Sequence, residues 1–314
     1  MTKKIKLTIA ATILFSALLI SGCDLLAGST FTRADYRVGN EGLTLIMEGN
    51  RDIRILQGEE FATGDVTIHF QNRGATNLQN DDIYVRITTP GDFIQPQTET
   101  IITELEQFSD TSSETLYGKS EQTRQGDIAS HNIVFNAYAP LQGASSTIDI
   151  EACYRYKTIL QVPSLCLRTD SRADSRACRT QHTFTRGQGA PIRISNIEIA
   201  ERRMGEDITH ELLITVTNAQ GGIATIPHDD SFKEACLAKQ NINMIHLETV
   251  TVGTQELTCN VENQLIDLRE KERTIRCNVP RLETSEGTIQ VPLYVELSYG
   301  YHTKAQHQVN IQRR

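Results

Sequence analysis

The chain has 314 residues, of which 39% are hydrophobic and 22% charged, and it contains no tryptophan. This is the composition of an ordinary globular protein rather than a disordered one, and the length suits about two domains. The formal net charge is −8 and becomes more negative without the lysines at positions 3, 4 and 6. An acidic composition argues against the basic face that nucleic acids require, so no nucleic-acid partner is expected.

Residues 1–22 have the features of a signal peptide. The three N-terminal lysines precede an uncharged apolar run from Leu7 to Ile20, and Ser21 and Gly22 then supply small side chains. The apolar run is shorter than the roughly 20 residues that span a bilayer, and its length suits the hydrophobic region of a signal peptide.

The segment Ile20-Ser21-Gly22-Cys23 resembles the lipobox of prokaryotic lipoproteins. The resemblance implies that the sulfur of Cys23 carries a diacylglycerol, that cleavage leaves Cys23 as the N-terminus, and that residues 23–35 form a tether. Two acyl chains are enough for stable anchoring. We therefore expect an extracytoplasmic protein held on the membrane by its lipid, at the cell surface or in the periplasm. The alternative is an ordinary signal peptide followed by an unmodified cysteine.

The other cysteines form an even set, which outside the cytoplasm predicts disulfides. No C-x-x-C spacing occurs, so zinc is not expected. An antiparallel return would bring Cys259 and Cys277 to the Cα separation of about 5.5 Å that a disulfide needs, and we predict that pair. The remaining cysteines allow three connectivities. One joins Cys153 with Cys166 across a hairpin. A second joins Cys166 with Cys178, which leaves Cys153 with Cys236 as a link between the two halves, and the third is the remaining combination.

Two separate segment pairs repeat along the chain. IDIEACYRYKT, residues 148–158, matches LYVELSYGYHT, residues 293–303, with identical Glu, Tyr, Tyr and Thr residues at one offset. VTIHFQN, residues 66–72, matches LLITVTN, residues 212–218, at nearly the same offset. Since the two matches share one spacing, the chain is interpreted as two copies of a unit of roughly 145 residues, near the commonest domain size.

Each copy has the period-2 pattern of half-buried strands. Val66, Ile68 and Phe70 alternate with polar residues, and the same alternation recurs at 212–216 and 289–299. Strands at this spacing without alternating helices favour antiparallel sandwiches.

We therefore predict an all-β fold of two tandem antiparallel Ig-like β-sandwich domains, residues 36–168 and 189–314. A linker that contains Cys178 and several arginines, residues 169–188, joins them. A capping box at Ser231 predicts one short helix from Phe232 to Lys239.

A strand followed by Asn-x-Gly, found at Asn72-Arg73-Gly74 after GEEF at 58–61, resembles the Ig-like modules of the cell-adhesion-related type on bacterial and archaeal surface proteins. GQGAP, Gly187 to Pro191, is similar to a segment of uncharacterised archaeal surface proteins. The resemblance covers a short part of each copy. It implies a β-sandwich at the cell surface and carries no catalytic activity with it.

Sequence motifs for catalysis are absent: there is no G-x-S-x-G, H-E-x-x-H, P-loop, G-x-G-x-x-G or EF-hand loop. The best metal candidate is His228-Asp229-Asp230, but adjacent residues rarely converge on one ion, and these also suit an acidic helix N-terminus. His302 and His307 are interpreted as exposed residues that flank a hairpin in the last strands. No metal and no cofactor is expected.

The repeated Tyr-x-Tyr segments place two rings on one face of each strand, because residues two apart in a strand share a face. The residues are Tyr154, Tyr156, Tyr299 and Tyr301. Repetition in both copies favours a packing role, and the other interpretation is an aromatic surface that binds a ligand. Gly300, between the second pair, is interpreted as a bulge or a point of close approach.

The sequence therefore predicts a lipid-anchored surface protein without catalysis, acting in adhesion, envelope structure or envelope assembly through a protein or envelope component. A membrane-tethered binding protein for a small ligand or polymer is the alternative. An extracytoplasmic hydrolase is a third hypothesis, which a deep pocket with convergent ionisable groups would favour.

Overall fold

The computed structural model describes residues 36–98, 100–102, 114–121, 123–138, 143–170, 176, 178–204, 207–227, 241–281 and 287–314. Several predicted features lie outside the described residues: the signal peptide with Cys23, the tether, Cys236, the helix at 232–239, and His228, Asp229 and Asp230.

The described residues form strands and two short 3-10 helices, which are Asn80–Asp82 and Glu262–Gln264. The strands are β1 (Leu43–Gly49), β2 (Asp52–Ile55), β3 (Ala62–Asn72), β4 (Leu78–Gln79), β5 (Ile83–Thr88), β6 (Ile94–Pro96), β7 (Ile101–Ile102), β8 (Thr115–Leu116), β9 (Ile128–Ala137), β10 (Ala144–Arg168), β11 (Gln181–Thr183), β12 (Ile192–Met204), β13 (Asp207–Asn218), β14 (Ile223–Thr225), β15 (Met244–Val252), β16 (Gln255–Glu256), β17 (Thr258–Cys259), β18 (Leu265–Asp267), β19 (Glu272–Val279) and β20 (Thr288–Arg313).

These strands form three larger sheets. The central sheet has the order β16-β15-β20-β10-β5-β7, with β14, β18 and β2 attached at its sides. The first outer sheet has the order β1-β3-β9-β6, and the second has the order β11-β12-β13-β19-β17. A small sheet pairs β4 with β8. The pairings are antiparallel, except that β2 runs parallel to the end of β20. The predicted all-β, antiparallel fold class is therefore confirmed.

The centre of the fold is the pairing of two unusually long strands, β10 and β20. Their antiparallel register runs from Ala144 opposite Ile311 to Arg168 opposite Thr288. Arg155 lies opposite Gly300, and on either side of that pair the repeated tyrosines face each other, Tyr154 opposite Tyr301 and Tyr156 opposite Tyr299. The register therefore relates the two copies by an approximate two-fold axis through this point.

The two copies follow one strand plan around this axis. The order β1-β3-β9 in the first copy corresponds to β12-β13-β19 in the second, and β5 flanks β10 as β15 flanks β20. Because the last strands of both copies lie in the same sheet, residues 36–314 form one compact unit. The copies are thus joined along a shared sheet as well as through residues 169–188. The domain boundaries themselves remain a prediction.

Two sequence interpretations of the long strands were wrong. Cys153 and Cys166 do not lie on successive strands of a hairpin but on the single strand β10, and His302 and His307 both lie on β20. The chain does not turn at Pro163. A bulge between Val162 and Leu165 accommodates the proline, and the pairing with β20 then continues. At Gly300 the ladder is regular, so no bulge occurs there.

The core follows the predicted alternation. Val66, Ile68 and Phe70 are fully buried, as are their counterparts Leu212, Ile214 and Val216. Buried side chains of the central sheet and of both outer sheets form one continuous hydrophobic cluster. Within the described ranges, no helix has the length and apolar character needed to cross a membrane.

Candidate binding cleft on the central sheet

The two sequence repeats meet in space as an asparagine–tyrosine clamp. In the first copy, the side-chain amide of Asn72 at the end of β3 donates to the carbonyls of Thr76 (2.8 Å) and Leu116 (3.0 Å). Its Oδ1 accepts the N–H of Gly74 (3.3 Å) and the hydroxyl of Tyr156 (3.5 Å). The N–H of Thr76 in turn donates to the Tyr156 hydroxyl (3.2 Å). The turn after β3 is thus fixed to the central sheet.

The second copy repeats the clamp with the corresponding residues. The amide of Asn218 donates to the carbonyl of Gly222 (2.8 Å), and its Oδ1 accepts the N–H of Gly221 (3.3 Å) and the hydroxyl of Tyr301 (3.0 Å). The N–H of Gly222 donates to the Tyr301 hydroxyl (2.7 Å). An asparagine amide and a buried phenol that satisfy each other's hydrogen bonds explain why both residue types repeat with the same spacing.

The four repeated tyrosines form one buried cluster at the two-fold axis. Their rings contact in a closed circuit, with centroid distances of 5.6 Å, 5.9 Å, 6.3 Å and 6.2 Å between neighbours, two of them edge to face. Each residue is at most 1% exposed. The interpretation of these tyrosines as an aromatic surface was therefore wrong, because the rings are buried and pack against one another. Their role is packing, the interpretation that repetition favoured.

Burial also fixes the protonation of this cluster. Loss of hydration raises the pKa of all four phenols, that of Tyr301 to about 12. The hydroxyls of Tyr156 and Tyr301 therefore stay protonated and can act as donors in the clamps. The hydroxyl of Tyr154 makes no well-aligned hydrogen bond among the described residues, although the backbone of Leu43 lies near it and lowers its pKa against the effect of burial.

The GQGAP segment closes the seam between the copies. Gly189 donates its N–H to the carbonyl of Gly39 (2.9 Å), and its own carbonyl accepts the N–H of Ala75 (2.8 Å). A Cβ on Gly187 would lie 2.2 Å from the Gly39 carbonyl oxygen, so this position requires glycine. The buried side chain of Gln188 exchanges two hydrogen bonds with the backbone of Ile194. The motif is structural in this fold.

A polar cleft opens beside the two-fold axis on the central sheet. Its volume is about 440 Å³, within the range of small-molecule sites. The polar side chains in its lining come from β10, β15 and β20, the loop after β3 and the 3-10 helix Asn80–Asp82, and include those of Thr76, Asn77, Asp82, Arg155, Lys157, His246, Glu248 and Ser298. Because these residues are distant in sequence and form no motif, no sequence pattern indicates the cleft.

The charged groups of the cleft each lie near a partner of complementary charge, in the lining or next to it. Lys157 Nζ lies 2.9 Å from Glu296 Oε1, Arg155 lies 4.0 Å from Asp82, and His246 lies 3.3 Å from Glu248. The hydrogen bond to Glu296 raises the pKa of Lys157. Burial raises the pKa of Asp82, more than Gln79 and Arg155 lower it. The cleft therefore offers many fixed donors and acceptors with little net charge.

A second polar group near the axis has the residue types of a cysteine–histidine–acid triad. Cys153 Sγ lies 3.4 Å from His302 Nε2, and His302 Nδ1 lies 3.6 Å from Glu151, which also pairs with Arg86 (2.9 Å). Cys153 is disulfide-bonded, so its sulfur is not a thiolate nucleophile. His302 is buried rather than exposed as expected, and so is His307, whose ring meets the carbonyl of Asn50 (3.3 Å).

A serine–histidine–glutamate alignment occurs on the first outer sheet. Ser130 Oγ lies 2.8 Å from His69 Nδ1, and His69 Nε2 lies 3.7 Å from Glu48. Ser130 is only 6% exposed and sits directly opposite His69 in the β3–β9 ladder. A substrate carbonyl has no approach to a hydroxyl buried in this way, so the alignment lacks the geometry of acyl transfer.

The disulfides agree with the cysteine analysis. Cys259 pairs with Cys277 as expected, with a Cα separation of 3.9 Å, because the two residues face each other directly on β17 and β19. Cys166 pairs with Cys178, which selects one of the open alternatives. Since disulfides persist in oxidising compartments, the structure indicates an extracytoplasmic protein.

No protein-family model and no curated protein matches the chain. Among solved structures, the Escherichia coli chaperone DraB is similar at 12% identity and a TM-score of 0.17, over 85% of this chain and 97% of that one. The C-terminal domain of the Streptococcus agalactiae antigen I/II polypeptide BspA is similar at 7% identity and a TM-score of 0.21, over 85% and 98%. The corresponding domain of Streptococcus pyogenes AspA gives 7% and 0.19, over 87% and 99%. At these scores the likenesses carry no argument about function.

Proposed function

We propose that the chain is a lipid-anchored extracytoplasmic protein that acts in adhesion, envelope structure or envelope assembly and performs no catalysis. The observation that carries the proposal is the shared central sheet, in which β10 and β20 join the two copies into one body. Such a body resists bending between its halves, as a protein that holds or presents a partner at a membrane requires.

Three further observations support this proposal. The disulfides place the chain in an oxidising compartment. The lipobox ending at Cys23 supplies the means of anchoring. Both alignments of catalytic residue types lack a competent nucleophile, since Cys153 is oxidised and Ser130 is buried.

The anchor is tested by Cys23→Ser in cells that process lipoproteins. In a detergent phase separation, we expect wild-type protein to enter the detergent phase. The variant should stay in the aqueous phase or remain uncleaved, because serine has no sulfur to form the thioether with diacylglycerol. Ser29→Ala, downstream of the lipobox, is the matched control and should behave as wild type. Wild-type protein in the aqueous phase contradicts the anchor.

The second candidate function is binding of a small ligand, and the cleft favours it. Paired charges leave directional hydrogen-bonding groups without net charge, which suits a neutral polyhydroxylated ligand such as an oligosaccharide. The four tyrosines lie buried in the core, so recognition would depend on the polar side chains rather than on stacking.

Neutral trisaccharides of different linkage are the probes for the cleft. We expect at least one to raise the midpoint of thermal unfolding, because a ligand that binds only the folded state stabilises it. Lys157→Met should abolish the rise, and Lys304→Met, which changes an exposed lysine on β20 outside the cleft lining, should preserve it. A rise that survives Lys157→Met shows binding elsewhere and removes this function from consideration.

A further inference from the structure

A cysteine and a histidine face each other across the two long central strands. Cys153 on β10 lies directly opposite His302 on β20, and its Sγ is 3.4 Å from Nε2 of the imidazole. Both residues are at most 2% exposed. Tyr84 on β5 lies opposite Cys153 on the other side and stays neutral, because burial raises the pKa of its phenol. The regular ladder around this pair therefore keeps the imidazole against the sulfur.

A carboxylate lies on the other side of the imidazole. Nδ1 of His302 is 3.6 Å from Oε1 of Glu151, and the same carboxylate meets Arg86 (2.9 Å) and Lys304 (3.7 Å). A carboxylate beside one ring nitrogen favours the proton on that nitrogen. The unprotonated Nε2 then faces the sulfur of Cys153. The imidazole can therefore take up a proton at Nε2, and the carboxylate can balance the charge that results.

The internal repeat shows that packing alone does not require this pair. The repeat relates Cys153 to Ser298 and His302 to Lys157, and these two counterparts also lie directly opposite each other. Lys157 meets a glutamate as His302 does, with Nζ 2.9 Å from Glu296. A basic side chain beside a glutamate thus occurs in both places. A serine and a lysine fill the same positions of the ladder, so neither the sulfur nor the imidazole is needed to build it.

The sulfur of Cys153 is part of a disulfide. In thiol–disulfide exchange an external thiolate attacks one sulfur, and the other sulfur leaves as a thiolate. Because Cys153 is buried, the attack falls on the sulfur of its partner cysteine, and Cys153 is the leaving group. A thiolate is more stable next to a protonated imidazole. The position of His302 therefore favours the opening of this disulfide.

We propose that the disulfide of Cys153 is a redox-active site that an extracytoplasmic dithiol opens reversibly, with His302 stabilising the departing Cys153 thiolate. The first thiolate of the dithiol forms a mixed disulfide with the partner sulfur, and the bond to Cys153 breaks. The second thiol then closes a disulfide within the dithiol and releases the partner sulfur. The dithiol loses two electrons and two protons. The two cysteine sulfurs gain the electrons, and the protons end on the partner sulfur and on Nε2 of His302.

This site goes beyond the proposed function, because it requires neither the lipid anchor nor a bound envelope component. The partner of Cys153 lies outside the described residues. Since the imidazole acts on the leaving sulfur, the proposal is the same for whichever cysteine is the partner. A failed redox test therefore leaves the anchor and the adhesion role unaffected.

The test compares two disulfides of the same chain. The full chain in detergent is equilibrated with mixtures of reduced and oxidised dithiothreitol at neutral pH and quenched with acid. Free thiols are then alkylated and assigned by peptide mass spectrometry. We expect Cys153 to open at a ratio of reduced to oxidised reagent roughly tenfold lower than Cys277 requires, because the imidazole favours the thiolate. The Cys259–Cys277 disulfide is the reference, since it lies on the second outer sheet.

Two histidine variants assign the effect to the imidazole. His302→Gln should raise the ratio that Cys153 requires by roughly tenfold and leave that of Cys277 unchanged, which also reports an intact fold. His307→Gln is the matched control and should change neither ratio, because His307 is another buried histidine of β20 that contacts the Asn50 carbonyl instead of a sulfur. An equal ratio for Cys153 in the wild type and in His302→Gln overturns the proposal.

Two measurements on the unchanged chain decide the question even where His302→Gln does not fold. After selective opening of the Cys153 disulfide, ultraviolet absorbance should show a thiolate at neutral pH, where an ordinary cysteine is mostly protonated. A Cys153 disulfide that opens no more readily than Cys259–Cys277 overturns the proposal. Absence of the thiolate signal, or a free Cys153 thiol before any reductant is added, overturns it as well.

Discussion

Replacing Asn72 with alanine is expected to lower the free energy of unfolding by about 3 kcal/mol. The change removes two donors to the carbonyls of Thr76 and Leu116 and leaves both without their partner. Asn72 is fully buried, and an unsatisfied buried polar group costs about 1–3 kcal/mol. Urea unfolding of the chain from Asp24 onwards, followed by circular dichroism, measures the loss.

The second copy supplies the matched control for this prediction. Asn218→Ala removes the corresponding clamp, but the Asn218 amide donates to one carbonyl, that of Gly222, and the residue is half-buried. We expect a loss of about 1–2 kcal/mol. Equal losses at both sites would show that the additional bond of Asn72 to Leu116 contributes nothing to stability.

The tyrosine hydroxyls provide a separate test of the hydrogen bonds in the clamp. Tyr156→Phe keeps the ring but removes the hydroxyl that bonds to Thr76, Asn72 and Gly189, so we expect a loss of about 1–2 kcal/mol. Tyr154→Phe removes a buried hydroxyl that makes no well-aligned hydrogen bond among the described residues and only approaches the backbone of Leu43, so it should change stability by less than about 0.5 kcal/mol. Similar losses for both would show that the hydrogen bonds of the Tyr156 hydroxyl contribute nothing to stability.

Local patterns were sufficient to predict the strands and the repeat. The alternation around Val66 and Leu212 places one face of β3 and of β13 in the core, because a half-buried strand has period 2. The repeated Asn and Tyr residues were recognised as separate matches. Their contact could not be predicted, since it depends on a turn that folds back onto a strand far away in sequence.

The extent of β10 and β20 could not be predicted for a related reason. Past Thr158, β10 continues along β20 to Arg168, and the bulge between Val162 and Leu165 interrupts its pattern, so the residues after the bulge look like a new strand when one copy is considered alone. The burial of the tyrosine rings depends on the same long-range pairing, because it brings the rings of the two copies together. The cleft was missed because Asp82, Lys157 and His246 converge only when the sheet is assembled.

The prediction with the largest effect concerns the disulfide of Cys153. The described pairs occupy Cys166, Cys178, Cys259 and Cys277, so the remaining partners for Cys153 are Cys23 and Cys236. If Cys23 carries a lipid, its sulfur is unavailable, and Cys153 must pair with Cys236. Non-reducing peptide mapping should therefore recover Cys153 linked to Cys236. Recovery of Cys153 linked to Cys23 would contradict both the pairing and the lipid anchor.

The size of the closed loop determines the expected effect on stability. A Cys153–Cys236 bond closes roughly 80 residues, which in the chain-entropy model corresponds to about 4.5 kcal/mol, against about 3 kcal/mol for the short loop of Cys166–Cys178. We therefore expect Cys153→Ala with Cys236→Ala to lower the free energy of unfolding by more than Cys166→Ala with Cys178→Ala does, under oxidising conditions. With dithiothreitol present, both double variants and the wild type should converge, because the wild-type bridges are then open as well. A long-loop variant that is no less stable than the short-loop variant argues that Cys153 and Cys236 are not joined.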